Sequence, residues 1–225
     1  MSSALDRPVW NALRTRHAAF STGDEHARRF VADVGPLAAS RDDEPESLRA
    51  LAALVPERGT LLLLQGDEIV LPSELAAVMT AEGVQMVAER TVAVEPDPRI
   101  TRLGSEDAPA MLALATLTRP GPFALGTHAL GEFWGIKEAG VLVAMAGERM
   151  KHDGFTEVSA VCTHPEVRGR GLARLLSAWV ATRIFQRGET PYLHSYAANT
   201  TAIELYRSLG FAIRRPMNVA AIARK

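Results

Sequence analysis

The stretch Val167-Arg168-Gly169-Arg170-Gly171-Leu172-Ala173 decides how this chain is read. It follows an apolar run, Phe155 to Thr163, that reads as a strand broken by His164-Pro165. It precedes Leu172, Leu175, Leu176, Trp179, Val180 and Ile184, whose 3–4 spacing predicts an amphipathic helix closed by Gly188. Glycines at a strand-to-helix junction let backbone N–H groups turn toward a ligand. The helix N-terminus adds unpaired N–H groups and the positive end of its dipole. With Arg168 and Arg170 alongside, the segment reads as a pyrophosphate cradle or as a plain glycine-rich turn. A dinucleotide fingerprint would place a third glycine where Arg174 stands, and no Gly-Lys-Ser/Thr of a P-loop occurs.

Working outward, Phe133–Ile136 and Val141–Glu148 read as a hairpin around Glu138-Ala139-Gly140, and Ile100–Leu103 as a short strand. Ser105 opens a helix running to about Leu117, followed by the loop Thr118-Arg119-Pro120-Gly121-Pro122. Tyr192–Tyr196 reads as a strand, Asn199 or Thr200 caps a short helix stopped by Gly210, and Phe211–Ile213 and Val219–Ile222 read as closing strands. In the first half, Asp6 to Phe20 is expected as a helix with Asp6 as N-cap. Leu48, Leu51 and Leu54 mark a second helix, and Thr60–Gln65 a buried strand. Pro72–Ala81 is helix-like and Val84–Val94 strand-like. Glu95-Pro-Asp-Pro98 breaks regular structure. The division expected is therefore an accessory α/β domain over 1–97 and a second domain over 98–225.

Charge supports that division. Residues 1–97 hold 9 Arg, no Lys and 16 acidic side chains, and the remainder holds 16 basic and 10 acidic ones. A basic half suits an anionic ligand, yet no Lys/Arg run with interleaved aromatics suggests nucleic acid. The 225 residues, 47% hydrophobic and 23% charged, fit a globular chain. One cysteine excludes a disulfide framework and fits a reducing compartment. No apolar stretch has the length of a membrane span, and the N-terminus carries no secretory pattern. The expectation is a cytoplasmic protein, and the excess of 22 Arg over 3 Lys suggests a bacterial source.

Beyond the cradle stands Asn199-Thr-Thr-Ala202-Ile-Glu-Leu205-Tyr206-Arg-Ser-Leu209-Gly210-Phe211. With Arg168-x-x-Gly171-x-Ala173, this segment makes residues 100–225 resemble the GNAT superfamily of acyl-CoA-dependent N-acyltransferases. Ser159-Ala-Val-Cys-Thr-His-Pro165 makes them similar to its FR47-like branch and to the C-terminal domain of glycine N-acyltransferase-like proteins. The resemblance implies an α/β fold of the α+β type: a mixed, mostly antiparallel sheet flanked by helices, with an additional N-terminal α/β subdomain. It implies direct transfer of an acyl group, from acetyl-CoA as co-substrate, to a primary amine on a small molecule or peptide, in a monomer or homodimer; the alternative reading is a regulatory or scaffolding protein that binds acyl-CoA without turnover. Val161, Cys162 and Thr163 would pair with the pantetheine arm, and a splay between that strand and Tyr192–Tyr196 would admit the thioester. The amides of Arg168, Gly169, Arg170, Gly171, Leu172 and Ala173 would hold the pyrophosphate. Asn199 would bond the pantetheine, and Ala202 sits on the same helix face as Tyr206, the expected general acid.

For the base, Glu157 shares a strand face with Ser159, Val161 and Thr163, with Glu148 as the alternative. A sheet-edge glutamate is the competing reading of Glu157. Cys162 and His164 two residues apart, and His194 beside Ser195, invite nucleophile readings. A lone strand cysteine is usually a small buried hydrophobe. The histidines show no metal-ligand spacing, so no metal is expected. Two pointers to the acceptor conflict: Arg119 suits a carboxylate, whereas the acidic first half suits a cationic amine.

Overall fold

A computed structural model describes residues 3–90 and 94–225. The first segment runs α1 (Pro8–Arg14), β1 (Ser21–Gly23), β2 (Ala27–Phe30), β3 (Ala38–Ser40), α2 (Pro45–Leu54), β4 (Leu61–Gln65) and β5 (Leu75–Ala88). Then come β6 (Ile100–Leu103), α3 (Ala108–Thr118), β7 (Phe133–Glu138), β8 (Val141–His152) and β9 (Phe155–Thr163). The chain ends with α4 (Leu172–Gln186), β10 (Thr190–Tyr196), α5 (Thr200–Ser208) and β11 (Phe211–Arg224). Strands β1–β3 form a small antiparallel sheet. The other strands form one eight-stranded sheet in the order β4-β11-β5-β10-β9-β8-β7-β6, antiparallel except for the β9–β10 pair. The mixed, mostly antiparallel α/β architecture expected from the sequence is the one observed.

The sheet crosses the boundary expected at residue 97. Strand β5 lies between β10 and β11, and β4 closes the edge beyond β11. Apolar side chains of α1 (Val9, Trp10, Leu13) share a core with Met150, Tyr192 and Met217 from the later strands. On the other side, Leu172, Leu176, Val180 and Ile184 of α4 pack with Met86, Ala144, Val158 and Leu193. Residues 61–88 thus contribute strands to the same sheet that carries the cradle.

Three local expectations are corrected. Pro72–Ala81 is not helical: its alanines favour helix locally, but from Leu75 onward the chain pairs continuously with β11. Tertiary pairing overrides propensity there. The strand expected over Val84–Val94 is the end of β5 as far as Ala88, and residues 91–93 lie outside the described residues. Asp6 caps no helix; α1 starts at Pro8, and the Asp6 carboxylate instead accepts from Arg214 (2.7 Å) and Arg215 (3.0 Å). The two closing strands are one long strand, with a register shift between Ile213 and Arg215. Pro216 is tolerated because β4 pairs with β11 only from Asn218 onward, leaving β11 an edge strand at the proline.

Candidate active site

The cradle is set by two glycines. Gly169 (φ 79°) and Gly171 (φ 75°) are both left-handed, a region that L side chains enter at a cost of about 1–2 kcal/mol. A Cβ at either would meet nothing within 4 Å, so the requirement is conformational and not steric. Gly171 is the N-cap of α4 and offers no side-chain acceptor to it. The first backbone amide beyond the turn to find a carbonyl is Leu175, bonded to Gly171 at 3.0 Å. Among the described residues, the amides from Gly169 to Arg174 have no hydrogen-bond acceptor. The first-turn amides of a helix have no intrahelical carbonyl to bond, and these stand at the positive end of the α4 dipole.

The opening beside them follows from the strand pairing. Strands β9 and β10 pair only at Thr190–Phe155, Pro191–Thr156 and Tyr192–Glu157. Beyond that, β10 follows β5 as far as Tyr196–Gly83, while β9 follows β8 to Thr163–Ala144. The strands therefore splay, as the sequence reading expected, and β9 from Val158 to Thr163 faces the gap without a β10 partner. Ala160 lies in the gap at φ 51°, next to the β8–β9 register shift. A bulge of this kind bends the strand edge outward.

A cavity of about 910 Å³ fills the gap. Val161, Cys162, Thr163, Arg168, Gly169, Gly171, Leu172, Ala173, Asn199, Ala202 and Tyr206 all line it, so most residues singled out in the sequence converge on one space. Tyr206 is buried, with its hydroxyl pushed up to about 12 by burial, reinforced by the potential of Cys162 and Glu157. It carries its proton at any ordinary pH. The Cys162 thiol is buried and pushed up to about 11 by burial, which leaves it protonated and a poor nucleophile. Asn199 caps α5 by accepting from the Ala202 amide at 3.2 Å, so its side-chain NH₂ remains as a donor.

Two expectations fail on geometry. Arg170 does not line the cavity; it forms a paired contact with Glu138 (2.6 and 3.0 Å) across the hairpin turn. Arg168 is exposed and makes no ion pair among the described residues. Glu157 is not a free base. It is 1% exposed and held by Arg149 at 2.8 and 2.9 Å, by the Met150 amide at 3.3 Å and by His194 Nδ1 at 2.8 Å. Although burial alone would raise its carboxyl, the Arg149 and His194 contacts hold it down at about 2. The alternative, Glu148, is also 1% exposed, paired with Lys151 and Arg187 at 2.5 Å each, and off the cavity wall.

What sequence reasoning set aside, His194, lines the cavity. Its surroundings fix the tautomer. Arg214 donates to the Gln85 side-chain oxygen at 2.9 Å, so the Gln85 NH₂ faces His194 Nε2 at 3.0 Å and donates to it. Nδ1 then carries the hydrogen and donates to Glu157. No local motif could have shown this, because Gln85 is 109 positions from His194 and 129 from Arg214. Among the described residues no Asp or Glu lines the cavity, and no cluster of His, Cys, Asp and Glu could hold a metal ion.

A strand pair splayed beside a glycine-turned helix N-terminus is the arrangement that the resemblance to the GNAT superfamily implies. The chain belongs to the GNAT family of N-acetyltransferases. Its residues 134–218 match the family described as FR47-like protein. A GNAT-family protein from Novosphingobium aromaticivorans, solved at 1.80 Å, is 41% identical over the whole of both chains, with a TM-score of 0.93. A GCN5-related N-acetyltransferase from Kribbella flavida (19% identity, 100% of this chain and 96% of that one, TM-score 0.65) shares the fold. So does a GCN5-related N-acetyltransferase-like protein from Streptococcus suis (13%, 91% and 82%, 0.54). No curated protein matches the sequence.

Proposed function

We propose that this protein transfers an acetyl group from acetyl-CoA directly to a primary amine. The observation that carries the reading is the set of unpaired amides of Gly169 and of Gly171 to Arg174, opening on the same cavity as the β9–β10 gap and Tyr206. These amides would receive the pyrophosphate, with Arg168 adding charge. The unpaired edge of β9 would take the pantetheine amides as a strand takes a neighbour, aided by the Asn199 NH₂. That places the thioester in the gap, near the protonated Tyr206.

Attack by a neutral amine on the thioester carbonyl forms the new C–N bond and breaks the C–S bond. The electrons of the C–S bond leave with sulfur, and the Tyr206 hydroxyl donates a hydrogen bond to the departing thiolate. The amine loses its second proton to solvent. Cys162 takes no part, its thiol being buried and protonated. The single buried cysteine also suits a cytoplasmic setting.

The test is thiol release from acetyl-CoA in the presence of amines, with the product identified by mass. An acetylated amine appearing with stoichiometric free CoA is the expected result. Hydrolysis of acetyl-CoA without any acetylated amine would overturn the reading.

A further inference from the structure

The cavity extends past the cradle to a wall built by the first segment. Leu62 and Leu64 of β4, Leu37, which bridges to Leu62, and Val219 opposite Leu64 line that end. Of the 16 acidic residues in 1–97, none lines the cavity among the described residues. The titratable groups on the wall are Arg119, Arg149, Arg168, Arg174, Cys162, His194, Tyr196 and Tyr206. A second ammonium on an acceptor would therefore find cations and leucines, and no counter-charge. The sequence's two conflicting pointers to the acceptor resolve against the cationic one.

No group on this wall is placed to take a proton. Both nitrogens of His194 are committed, to Gln85 and Glu157, and Arg149 is occupied by Glu157. The amine must arrive neutral by its own equilibrium. At pH 7.4 a lysine-type amine of pKa about 10.4 is neutral in about one molecule per thousand, whereas the α-amine of a peptide N-terminus, at about 7.7–8.0, is neutral in about a quarter. That is an advantage of about 200-fold before any contact is made. Arg119, on the loop after α3 and also on the wall, makes no ion pair among the described residues and can receive a carboxylate.

Resting on the transferase reading above, we propose that the acceptor is an α-amine beside an apolar side chain, seated against Leu37, Leu62, Leu64 and Val219, and not a lysine side chain or polyamine. That chemistry is offered by a free apolar amino acid and by an apolar peptide N-terminus.

The experiment uses the full chain with acetyl-CoA at pH 7.4 and compares leucine, the dipeptide Leu-Gly, Nα-acetyl-lysine and spermidine by thiol release. The expected kcat/KM for Leu-Gly exceeds that for Nα-acetyl-lysine by about 100-fold or more, and that for leucine, whose carboxylate keeps its ammonium protonated, exceeds it by less. Leu62→Glu is expected to lower kcat/KM for the favoured acceptor about 10-fold or more while acetyl-CoA affinity, measured alongside, holds. Leu62→Ala, a gentler change, serves if the glutamate variant does not fold. A leucine rate that falls in Arg119→Ala assigns the free amino acid; an Arg119-insensitive Leu-Gly rate assigns the peptide terminus. Nα-acetyl-lysine or spermidine matching Leu-Gly overturns the inference, as does unaltered Leu-Gly turnover in Leu62→Glu. Binding of acetyl-CoA with transfer to neither leucine nor Leu-Gly overturns the inference alone. Failure to bind acetyl-CoA at all would remove the transferase reading beneath it.

Discussion

Replacing Tyr206 by phenylalanine removes one hydroxyl from the cavity wall and leaves the ring packed against Phe211. The size of the effect can be worked out. Tyr206 sits at about 12, and a thiol leaving group at about 8.5. Full proton transfer from one to the other is uphill by about 3.5 units, or about 5 kcal/mol. On the proposed mechanism Tyr206 therefore keeps its proton and acts as a hydrogen-bond donor to developing negative charge, a contribution of about 1.5–3 kcal/mol. At 1.36 kcal/mol per tenfold, kcat in Tyr206→Phe should fall by about 10- to 150-fold. Acetyl-CoA affinity should hold, because the bond strengthens only as the thiolate forms. The assay is thiol release at saturating acetyl-CoA from pH 6.5 to 9, beside calorimetric binding, and the ratio of the two enzymes should be flat across that range. A variant within twofold of wild type would refute the donor role. So would a wild-type limb below pH 9 that disappears in the variant, since Tyr206 would then be ionising there.

Three further outcomes follow from the same geometry. Arg168→Ala should weaken acetyl-CoA binding by about 3- to 10-fold, a surface charge-assisted bond being at the low end of its range. Arg170→Ala, whose guanidinium is held by Glu138, should change binding by less than about twofold by calorimetry. Glu157→Gln leaves Arg149 buried without its counter-charge, so a stability loss of about 3–5 kcal/mol is expected in thermal or denaturant unfolding. A rate loss that recovers at high pH in a stable protein would instead restore Glu157 as a base. His17 and His152 are buried and held near 4 by desolvation, below their ordinary 6.5. Above pH 6.5 both are neutral in the folded and the unfolded chain. As pH falls from 6.5 to about 4, the unfolded chain binds protons the folded one refuses, so stability should decline by about 3 kcal/mol per histidine. Glu157, held near 2, adds a further loss as pH falls below 4.5. An unfolding midpoint constant from pH 7 to 4.5 would contradict the histidine assignments.

The sequence made the second half legible because its signals are local. The glycine turn, the apolar face of α4, the Asn199 cap and Tyr206 one helical face away all act within a few residues of one another. Their convergence on one cavity needed only the short connections between β9, α4, β10 and α5. Other features depend on long-range pairing. Pro72–Ala81 reads as helix from its alanines, and from Leu75 onward it is strand only because β11 lies alongside it. The Arg214–Gln85–His194–Glu157–Arg149 chain joins five strands. A periodicity argument placed Glu157 on the face of Val161 and Thr163, but the bulge at Ala160 interrupts that alternation and the carboxylate lies in the core. The acidic character of residues 1–97 is a true count that does not reach the cavity: what lines it from that segment is Leu37, Leu62, Leu64 and Gly83.

The central claim is that the amides from Gly169 to Arg174 hold the donor's pyrophosphate while its thioester lies in the β9–β10 gap. A crystal structure of the full chain with acetyl-CoA tests it most directly. The account expects phosphate oxygens within about 3 Å of those amides, the pantetheine along Val161–Thr163, and the sulfur within hydrogen-bond reach of the Tyr206 hydroxyl. A cofactor bound elsewhere, or in the gap with its pyrophosphate away from the amides, would contradict it.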